Sequence, residues 1–280
     1  MREIDIKEIT AAVRQACIDA NCNMPKDVVD AVAKFKEVEE SPTALEVFDK
    51  IQQNAKLARD KQVAICQDTG VVVIFAEIGQ DVHIKGGSFT DAVNEGVRQG
   101  YKDGYLRFSV VADPMNRVNT GDNTPAVIHT SLVPGDKIKL TVAPKGFGSE
   151  NMSKMKMFTP AATRDDIINY VAQCVEEAGS LPCPPIIVGV GLGGTSDMAA
   201  VLAKKACVSP LDSPAQSEYY EQLQKDMLEK INSLGIGPQG FGGRVTCIGV
   251  KVLSYPTHIA GLPCFVNIGC NVTRHCEVII

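Results

Sequence analysis

The stretch Cys66-Gln67-Asp68-Thr69-Gly70 lies between two apolar runs, and our interpretation of the chain starts from it. The run before it is Val63-Ala64-Ile65, and the run after it is Val71-Val72-Val73-Ile74-Phe75. Apolar runs predict buried strands, so the thiol, amide, carboxylate and hydroxyl between them have little structural reason to be there. Ligand binding or catalysis would explain them. The alternative is a turn in which Asp68 and Thr69 only bond their own backbone, and these five residues alone leave both interpretations open.

Length, composition and charge exclude several classes of protein. The 280 residues are enough to bury a sizeable core, as one large domain or two smaller ones. Apolar residues make up 45% and charged residues 22% of the chain, as in ordinary soluble globular proteins. The formal net charge of -5 argues against nucleic acid as a partner, because no basic surplus is present to neutralise phosphates. No apolar run approaches the roughly 20 residues of a membrane helix, so we expect no membrane partner either.

The N-terminus and the cysteines indicate a reducing compartment. Residues 1–8 read MREIDIKE, with charges where a signal peptide has an apolar core, so we predict a cytoplasmic protein. The ten cysteines are then candidates for metal binding rather than a disulfide framework. Because the sequence contains no Cys-x-x-Cys pair, zinc ribbons, thioredoxin-like sites and ferredoxin-type clusters are poorly supported. Any metal site has to be assembled from distant parts of the chain.

The spacing of apolar residues predicts a mixed α/β (α+β) fold. Residues 1–60 form an N-terminal helical part, with Ser41-Pro42 typical of a helix start. Residues 61–280 form a sheet-containing body with glycine-rich loops. Within the body we predict a strand over 71–78, a helix capped by Thr90, a hairpin of 126–133 and 137–142 around Pro134-Gly135-Asp136, a helix from the Thr163/Asp166 capping box to Gly179, a strand over 186–190, a helix over 215–234, and strands over 245–253 and 264–268.

Two polar loops and one glycine-rich motif stand out in the body. The segments 117–125 and 145–153 are predicted loops, and loops this polar are either solvated or line a site. The third, Gly189-x-Gly191-x-x-Gly194, follows a strand and precedes a helix, as in a dinucleotide fingerprint. The chain upstream is not a run of βαβ units, however, which argues against nicotinamide binding. We expect these glycines to let the backbone approach some other ligand, with helix-terminal amides facing an anion.

Three cysteines have unusual sequence surroundings. Cys66 opens the polar turn, Cys183 precedes two prolines, and Cys270 follows Asn267-Ile268-Gly269. The other seven lie in apolar or helical surroundings and are predicted to be packing residues, Cys17 as a packed thiol and Cys22 as a surface thiol. Among these seven, Cys276 is the alternative candidate, because it follows Cys270 by six residues and stands beside His275.

Several long motifs of this sequence resemble those of the class I iron–sulfur hydro-lyases, which include oxygen-sensitive fumarases and L(+)-tartrate dehydratases. The resemblance covers nearly the whole chain. It rests on Cys66-Gln67-Asp68-Thr69-Gly70, Asn119-Thr120-Gly121-Asp122-Asn123-Thr124-Pro125, Gly148-Ser149-Glu150-Asn151, Gly189-Val190-Gly191-Leu192-Gly193-Gly194 and His258-Ile259-Ala260-Gly261-Leu262-Pro263.

The resemblance implies an architecture. The chain is similar to the α subunit of the two-subunit forms, equivalent to the N-terminal domain of the single-chain enzymes, so residues 1–280 are expected to be one α-type domain. A separate β subunit is the implied partner, in assemblies that tend toward α2β2. The implied activity is reversible hydration of fumarate to (S)-malate, with dehydration of L(+)-tartrate to oxaloacetate as the alternative. A third possibility, from another class and not implied by the resemblance, is a non-catalytic metal-binding or structural subunit, with zinc as a candidate metal.

The resemblance also implies a cofactor and a set of site residues. The family holds a [4Fe–4S] cluster with three cysteines, which match Cys66, Cys183 and Cys270, and the remaining iron acts as a Lewis acid on the substrate. The general base and further cationic groups belong to the β part of the family. The implied substrate-contacting residues are Gln67, Asp68 (the best candidate acid), Arg107 for a substrate carboxylate, Gly148 through its backbone amide, and His258 beside the substrate or its acid partner.

One departure and several alternatives accompany these assignments. The loop expected to be glycine-rich contains Phe147, a bulky residue that is expected to tighten the pocket. Taken singly, Arg107 is more often a surface ion pair, His258 a loop histidine, and Cys270 a buried thiol. The motif context across the whole chain favours the functional interpretation of all three.

Overall fold

The computed structural model describes residues 1–280, and it confirms a mixed α/β fold. The helices are α1 (Ile6–Cys22), α2 (Lys26–Lys36), α3 (Pro42–Lys61), α4 (Phe89–Asp103), α5 (Phe147–Glu150), α6 (Arg164–Ala178), α7 (Ser196–Cys207) and α8 (Glu218–Asn232). The strands are β1 (Arg2–Asp5), β2 (Val71–Gly79), β3 (Val82–Lys85), β4 (Val127–Val133), β5 (Ile138–Lys145), β6 (Lys154–Phe158), β7 (Ile186–Gly193), β8 (Cys247–Tyr255), β9 (Leu262–Gly269) and β10 (Cys276–Ile279). None of the helices has the length and apolar character needed to cross a membrane.

The chain divides into two compact units. The first comprises Met1–Pro25, Asn54–Phe147 and Arg274–Ile280, and the second comprises Lys26–Gln53 and Gly148–Thr273. The expectation that residues 1–280 are one domain stays a prediction.

The first unit is built on a four-stranded sheet in the order β10-β5-β2-β4. One of its two central strands, β2, is the apolar run that follows Gly70, and five consecutive residues from Val72 are buried. Helices α1 and α4 pack against each other, and α1 also contacts β5 and β10. A capping box of Asp5 and Glu8 begins α1, and Asp5 also ends the short strand β1, which pairs with β3 and was not predicted.

The predicted hairpin in this unit is wrong. Strands β4 and β5 form close to where they were expected, but β2 lies between them, parallel to β4 and antiparallel to β5. The Pro134-Gly135-Asp136 loop crosses the end of β2 instead of joining two paired strands. There the Gln80 and Asp81 amides donate to the Val133 and Gly135 carbonyl groups. The short connection gave the appearance of a hairpin, because sequence spacing does not reveal a third strand inserted between two others.

The second unit contains a four-stranded sheet in the order β6-β9-β7-β8. All eight residues of β7 are buried, and β7 runs parallel to β8 and antiparallel to β9. Helix α7 packs on β7, while α6 and α8 contact each other and α8 contacts β8. The Thr163/Asp166 capping box and the end of α6 at Gly179 are confirmed.

Some predicted element boundaries are wrong by a few residues. The N-cap of α4 is Ser88, not Thr90, because the Ser88 hydroxyl accepts a hydrogen bond from the Asp91 amide. Helix α8 begins after Ser217 rather than at residue 215, with Ser217 as its cap. The segment 145–153 is not entirely loop, since it contains the end of β5 and the single turn α5.

Candidate active site

The turn from Cys66 to Gly70 is present and enters β2 directly. Gly70 has a φ of +79°, in the left-handed region, and a Cβ atom there would lie 2.6 Å from the carbonyl carbon of Lys145. Only glycine satisfies both conditions at low cost. The sequence-based expectation of a sharp turn at Gly70 is therefore confirmed, and the polar residues before it lie at the N-terminal end of a central strand of the first unit.

Two backbone amides orient the Asp68 carboxylate. Its Oδ1 atom accepts a hydrogen bond from the Gly70 amide at 3.0 Å, and its Oδ2 atom accepts one from the Phe147 amide at 2.8 Å. A carboxylate has about four lone-pair positions, so each oxygen keeps one for a substrate atom or a proton. The side chain is partly exposed and is fixed in direction by the main chain.

Buried polar side chains donate hydrogen bonds to the carbonyl oxygens of the turn. The Tyr101 hydroxyl, completely buried, donates between the carbonyl oxygens of Thr69 and Gly70, at 2.6 and 3.1 Å. Burial raises the pKa of Tyr101, so the hydroxyl stays a donor. Asn123, also fully buried, donates to the Gly70 carbonyl and accepts from the Ser109 amide. The polar segment 117–125 thus contributes one side chain that holds the turn.

Arg274 is a buried guanidinium in the same unit. Its Nη2 atom donates to the Asp68 carbonyl oxygen, and its Nε atom donates to the Pro144 carbonyl oxygen at 3.4 Å. Its Nη1 atom is buried and has no hydrogen-bond partner. No carboxylate pairs with this cation, and an unpaired buried charge is costly. An anionic group near the turn would satisfy it.

Arg107 lies beside the turn through Thr69. The Thr69 hydroxyl accepts from the Arg107 amide at 2.9 Å and donates to the Arg107 carbonyl oxygen at 3.1 Å. The Arg107 side chain is exposed and forms no ion pair, so it is not the surface ion pair that is common for a lone arginine. Gln67 is exposed next to the half-buried Cys66, whose thiol contacts the Gln67 side-chain oxygen at 3.5 Å. The first unit therefore brings Cys66, Gln67, Asp68 and Arg107 together.

The second unit brings Cys183 and Cys270 to one end of its sheet. Cys183 precedes the start of β7, and Cys270 follows the end of the antiparallel neighbour β9. Asn271, next to Cys270, donates to the Cys183 carbonyl oxygen from its main-chain amide at 3.2 Å and from its side chain at 2.8 Å. Cys183 is exposed and Cys270 half-buried, so the alternative of a buried thiol at Cys270 does not apply.

Gly148 and His258 occupy different parts of the second unit. Gly148 is exposed in α5, and a Cβ atom there would lie 3.7 Å from the Leu181 carbonyl oxygen, two residues before Cys183. The exposed His258 follows β8, which is parallel to β7, so it lies at the opposite end of the sheet from Cys183. Strand β7 has 8 residues and is about 25 Å long. The His258 Nδ1 atom accepts from the Ala260 amide at 3.1 Å, as in an ordinary loop histidine.

Most of the remaining cysteines are more buried than the three predicted ligands. Six are buried: Cys17, Cys22, Cys174, Cys207, Cys247 and Cys264. Cys22 was predicted at the surface, and that prediction is wrong. Burial raises the pKa of the Cys247 and Cys264 thiols to about 12, which opposes formation of a metal-binding thiolate. Cys276 is half-buried on β10, and burial raises the pKa of its thiol as well.

The glycines of the β7 motif serve packing between elements. A Cβ atom at Gly189 would lie 2.2 Å from the Ala203 carbonyl oxygen, and one at Gly191 would lie 2.0 Å from the Ala199 carbonyl oxygen. Both oxygens belong to α7. The expectation that these two glycines admit a ligand is wrong, because the helix that follows the strand takes that space.

Sequence reasoning missed Tyr101, Arg274 and Asn271. Tyr101 lies in the helix that was predicted after Thr90, and the other two come after Cys270 in a segment with no predicted element. The signal available for Arg274 was its position between two cysteines in residues 270–276, a polar stretch at the end of the chain. Within neither unit do three or more His, Cys, Asp or Glu side chains come together as a metal-holding group.

Comparison with known proteins identifies the family. The sequence model of the family described as "Fumarate hydratase (Fumerase)" matches residues 10–279. A Methanocaldococcus jannaschii protein named "Putative L(+)-tartrate dehydratase subunit alpha" is 36% identical over 273 residues, which are 95% of each chain. Proteins named "L(+)-tartrate dehydratase subunit alpha" from Escherichia coli and Shigella boydii are 27% identical over 279 residues, covering 98% of this chain and 91% of theirs. This chain belongs to the fumarate hydratase family.

Proposed function

We propose that the chain is the α subunit of an iron–sulfur hydro-lyase that interconverts fumarate and (S)-malate. The observation that carries the proposal is the family match over residues 10–279. The phrase "subunit alpha" in the names of the relatives supports a separate β chain as partner, and we propose an α2β2 assembly of the two. The ten cysteines are all free thiols, which supports a reducing compartment such as the cytoplasm.

We further propose a [4Fe–4S] cluster held by the thiolates of Cys66, Cys183 and Cys270. These are three of the four cysteines that are not buried, whereas the others are shielded from metal and resist ionisation. The buried, unpaired guanidinium of Arg274 beside the Asp68 backbone suits a group of negative charge close to the turn. When bound, the cluster supplies an iron without a cysteine ligand that acts as a Lewis acid on the substrate hydroxyl.

Residues of the turn, and Arg107 beside it, then bind the substrate and transfer a proton. The unpaired Arg107 guanidinium pairs with one carboxylate of the dicarboxylate, in the bidentate geometry that arginine favours. Gln67 donates from its exposed amide. Asp68 gives a proton to the departing hydroxyl group in dehydration and takes one from the entering water in hydration. It does so at an oxygen lone-pair position that the Gly70 and Phe147 amides leave free. The general base on the neighbouring carbon is assigned to the β subunit.

Gly148 and His258 complete the proposed set of substrate contacts. Gly148 offers a backbone amide in the first turn of α5, where amides lack intrahelical partners. His258 is proposed to contact the substrate or its acid partner, as the family motif implies, although it lies at the far end of the sheet from Cys183 within its unit.

L(+)-tartrate is the second candidate substrate, with oxaloacetate as product. The observation that favours it is the name that the three relatives share. Tartrate has one hydroxyl group more than malate, so a single polar contact decides between them. Phe147, with a side chain 48% exposed beside the amide that holds Asp68, is a candidate for limiting the space around that extra hydroxyl.

The decisive experiment is anaerobic co-expression with a β-type chain, followed by assays on malate, fumarate and tartrate and by iron and sulfide analysis. We expect hydro-lyase activity together with stoichiometric iron and acid-labile sulfide. Cys66→Ser, Cys183→Ser and Cys270→Ser should each abolish cluster retention, while Cys17→Ser should not. Stoichiometric zinc without sulfide would support the non-catalytic alternative. If Cys276→Ser loses the cluster and Cys270→Ser keeps it, the third ligand is Cys276 and not Cys270.

A further inference from the structure

The backbone around the two cysteines of the second unit is held by an unusual set of paired hydrogen bonds. The Cys183 carbonyl oxygen accepts from both the main-chain amide and the side chain of Asn271, at 3.2 and 2.8 Å. The Cys270 carbonyl oxygen accepts from both the amide and the hydroxyl of Thr273, at 3.0 and 2.8 Å. The Pro184 carbonyl oxygen accepts from both amides of Gln239, each at 2.8 Å. Each of these carbonyl oxygens thus accepts two hydrogen bonds from a single residue, one from its main chain and one from its side chain.

Asn271 differs from the other two because its bonds join one cysteine to the other. It follows Cys270 directly in sequence and bonds to Cys183, which is 88 residues away. Asn271 itself is buried, whereas Cys183 is exposed and Cys270 half-buried. The side chain therefore holds the two backbones together without covering either thiol.

The conformation of Cys183 shows why such a hold is needed. Cys183 has a φ of +55°, in the left-handed region that residues other than glycine seldom adopt. Such a conformation persists only where the surroundings fix it, and it is concentrated at functional sites. The bonds from Asn271 to the Cys183 carbonyl oxygen, and the turn bond from the Cys183 amide to the Ser180 carbonyl oxygen at 3.0 Å, supply that constraint.

We propose that Asn271 is a positioning residue that fixes the separation of Cys183 and Cys270 for a shared metal centre. The inference rests on the proposed function, because it assumes that both thiolates bind the same cluster. An amide is required, since its N–H group donates to the carbonyl, whereas an aspartate would place a second acceptor against that oxygen. Preorganisation of this kind holds ligands at the spacing a metal needs before the metal arrives.

The test compares Asn271→Asp with a matched control in the same unit. Asn232 also donates from its side chain to a cysteine carbonyl, that of Cys247, at 3.1 Å, and accepts from two backbone amides. Asn232→Asp therefore removes a comparable hydrogen bond from a cysteine that is not a predicted ligand. Asn271→Ala is the second variant, since it keeps the main-chain bond to Cys183 and removes only the side-chain bond.

Iron release gives the readout, measured on the holoenzyme with its β chain under anaerobic conditions. The rate of iron transfer to a chelator is recorded together with iron and sulfide content and the unfolding temperature. We expect Asn271→Asp to release iron at least about tenfold faster than the wild type, which is the usual effect of losing a residue that supports a metal ligand. The rate for Asn271→Ala should lie between those of the wild type and Asn271→Asp. Asn232→Asp should lower the unfolding temperature without changing the rate of iron release.

The outcomes distinguish failure of the positioning role from failure of the proposed function. Iron release at the wild-type rate in both Asn271 variants overturns the positioning role, and so does equally fast release from Asn232→Asp. If Asn271→Asp does not fold, the comparison of Asn271→Ala with wild type decides. A wild-type enzyme that takes up no iron and sulfide defeats the proposed function, and the inference with it. A wild-type enzyme with a cluster and unaffected variants defeats the inference alone.

Discussion

At the scale of single residues, the main chain determines what Asp68 can do. Both of its carboxylate oxygens are engaged by backbone amides, one from Gly70 and one from Phe147. The direction of the side chain is therefore set by the turn and by the first residue of α5, not by the substrate. A proton-transfer group has to be within hydrogen-bond reach of the reacting atom, and fixed backbone donors are a way to keep it there.

Asp68→Asn tests this role. The amide is isosteric, but its NH2 group faces a backbone amide where the carboxylate accepted a hydrogen bond, and it cannot exchange a proton as a carboxyl does. We expect kcat to fall about 10²–10⁴-fold with iron content preserved. Asp103→Asn, which only breaks an exposed pair with Arg14, is the control and should leave kcat unchanged. Wild-type kcat in Asp68→Asn would remove Asp68 from the mechanism.

Arg107→Met tests the proposed carboxylate contact. The guanidinium is exposed beside the turn and forms no ion pair, so its removal should leave the free energy of unfolding nearly unchanged. Losing a charge-assisted contact to substrate should raise KM about ten- to a hundredfold. Steady-state kinetics on malate and fumarate measure the effect, with Arg14→Met as the surface control. An unchanged KM would mean that Arg107 does not bind the substrate.

The residues around Asp68 also show what the sequence could not predict. The turn itself was predictable, because polar residues and a glycine between apolar runs have a direct conformational meaning. Tyr101 and Arg274 were not, although both donate to carbonyl oxygens of the turn, because they come from 31 to 206 residues away. Nothing in a single sequence indicates which distant donor will satisfy a given carbonyl group.

At the scale of elements, positions were easier to predict than pairings. The apolar runs located β2, β4 and β5, since burial is a property of each segment alone. Their order in the sheet depends on which strand lies between which, and the four residues that connect β4 to β5 suggested the wrong neighbour. The glycines of β7 were misread in the same way: a close approach was correctly expected, but the approaching group is α7 and not a ligand.

Gly191→Ala should be strongly destabilising. The added methyl group would lie 2.0 Å from the Ala199 carbonyl oxygen, and its three nearest atoms all belong to the backbone of α7, which leaves little room to move. We expect the free energy of unfolding to fall by about 3 kcal/mol or more, at the upper end of overpacking effects. Chemical denaturation measures it. Gly261→Ala is the control, since a Cβ atom there has nothing within 4 Å, and a similarly small loss in both variants would contradict the packing role.

Glu39 makes the second unit sensitive to acid. Burial by itself raises the pKa of its carboxyl, but hydrogen bonds from backbone amides, including those of Ser41, Arg244 and Val245, outweigh burial and hold the pKa below its usual value. A carboxyl whose folded-state pKa is lowered stabilises the fold above the unfolded pKa of about 4.3, and this contribution is lost as pH falls through the folded value.

Glu39→Gln measures that contribution. The variant should be less stable than wild type at pH 7, and the difference in the free energy of unfolding should shrink steadily as pH falls below about 4.3. Denaturation at a series of pH values gives the curve. Glu40→Gln, which loses an exposed pair with Arg244, should show little difference at any pH. A pH-independent difference for Glu39→Gln would mean that packing, not ionisation, explains its effect.

At the scale of the whole molecule, each unit has its own hydrophobic core. The core of the first unit is formed by α1, α4 and the strands around β2, and that of the second by α6, α8 and the strands around β7. Neither core includes Cys66, Cys183 or Cys270. The fold thus differs from small metal domains, in which ligand binding and folding are one event.

Removal of the proposed cluster should consequently abolish activity without unfolding the chain. We expect an enzyme stripped of iron by oxidation and chelation to keep its far-UV circular dichroism and a cooperative thermal transition, shifted downward only by the loss of ligand stabilisation. Anaerobic addition of ferrous iron and sulfide should restore activity, which separates loss of the cofactor from irreversible damage. Two separate hydrophobic cores should keep the chain folded without the metal. Loss of the helical signal on chelation would contradict this expectation and would show that the fold depends on metal binding by the cysteines.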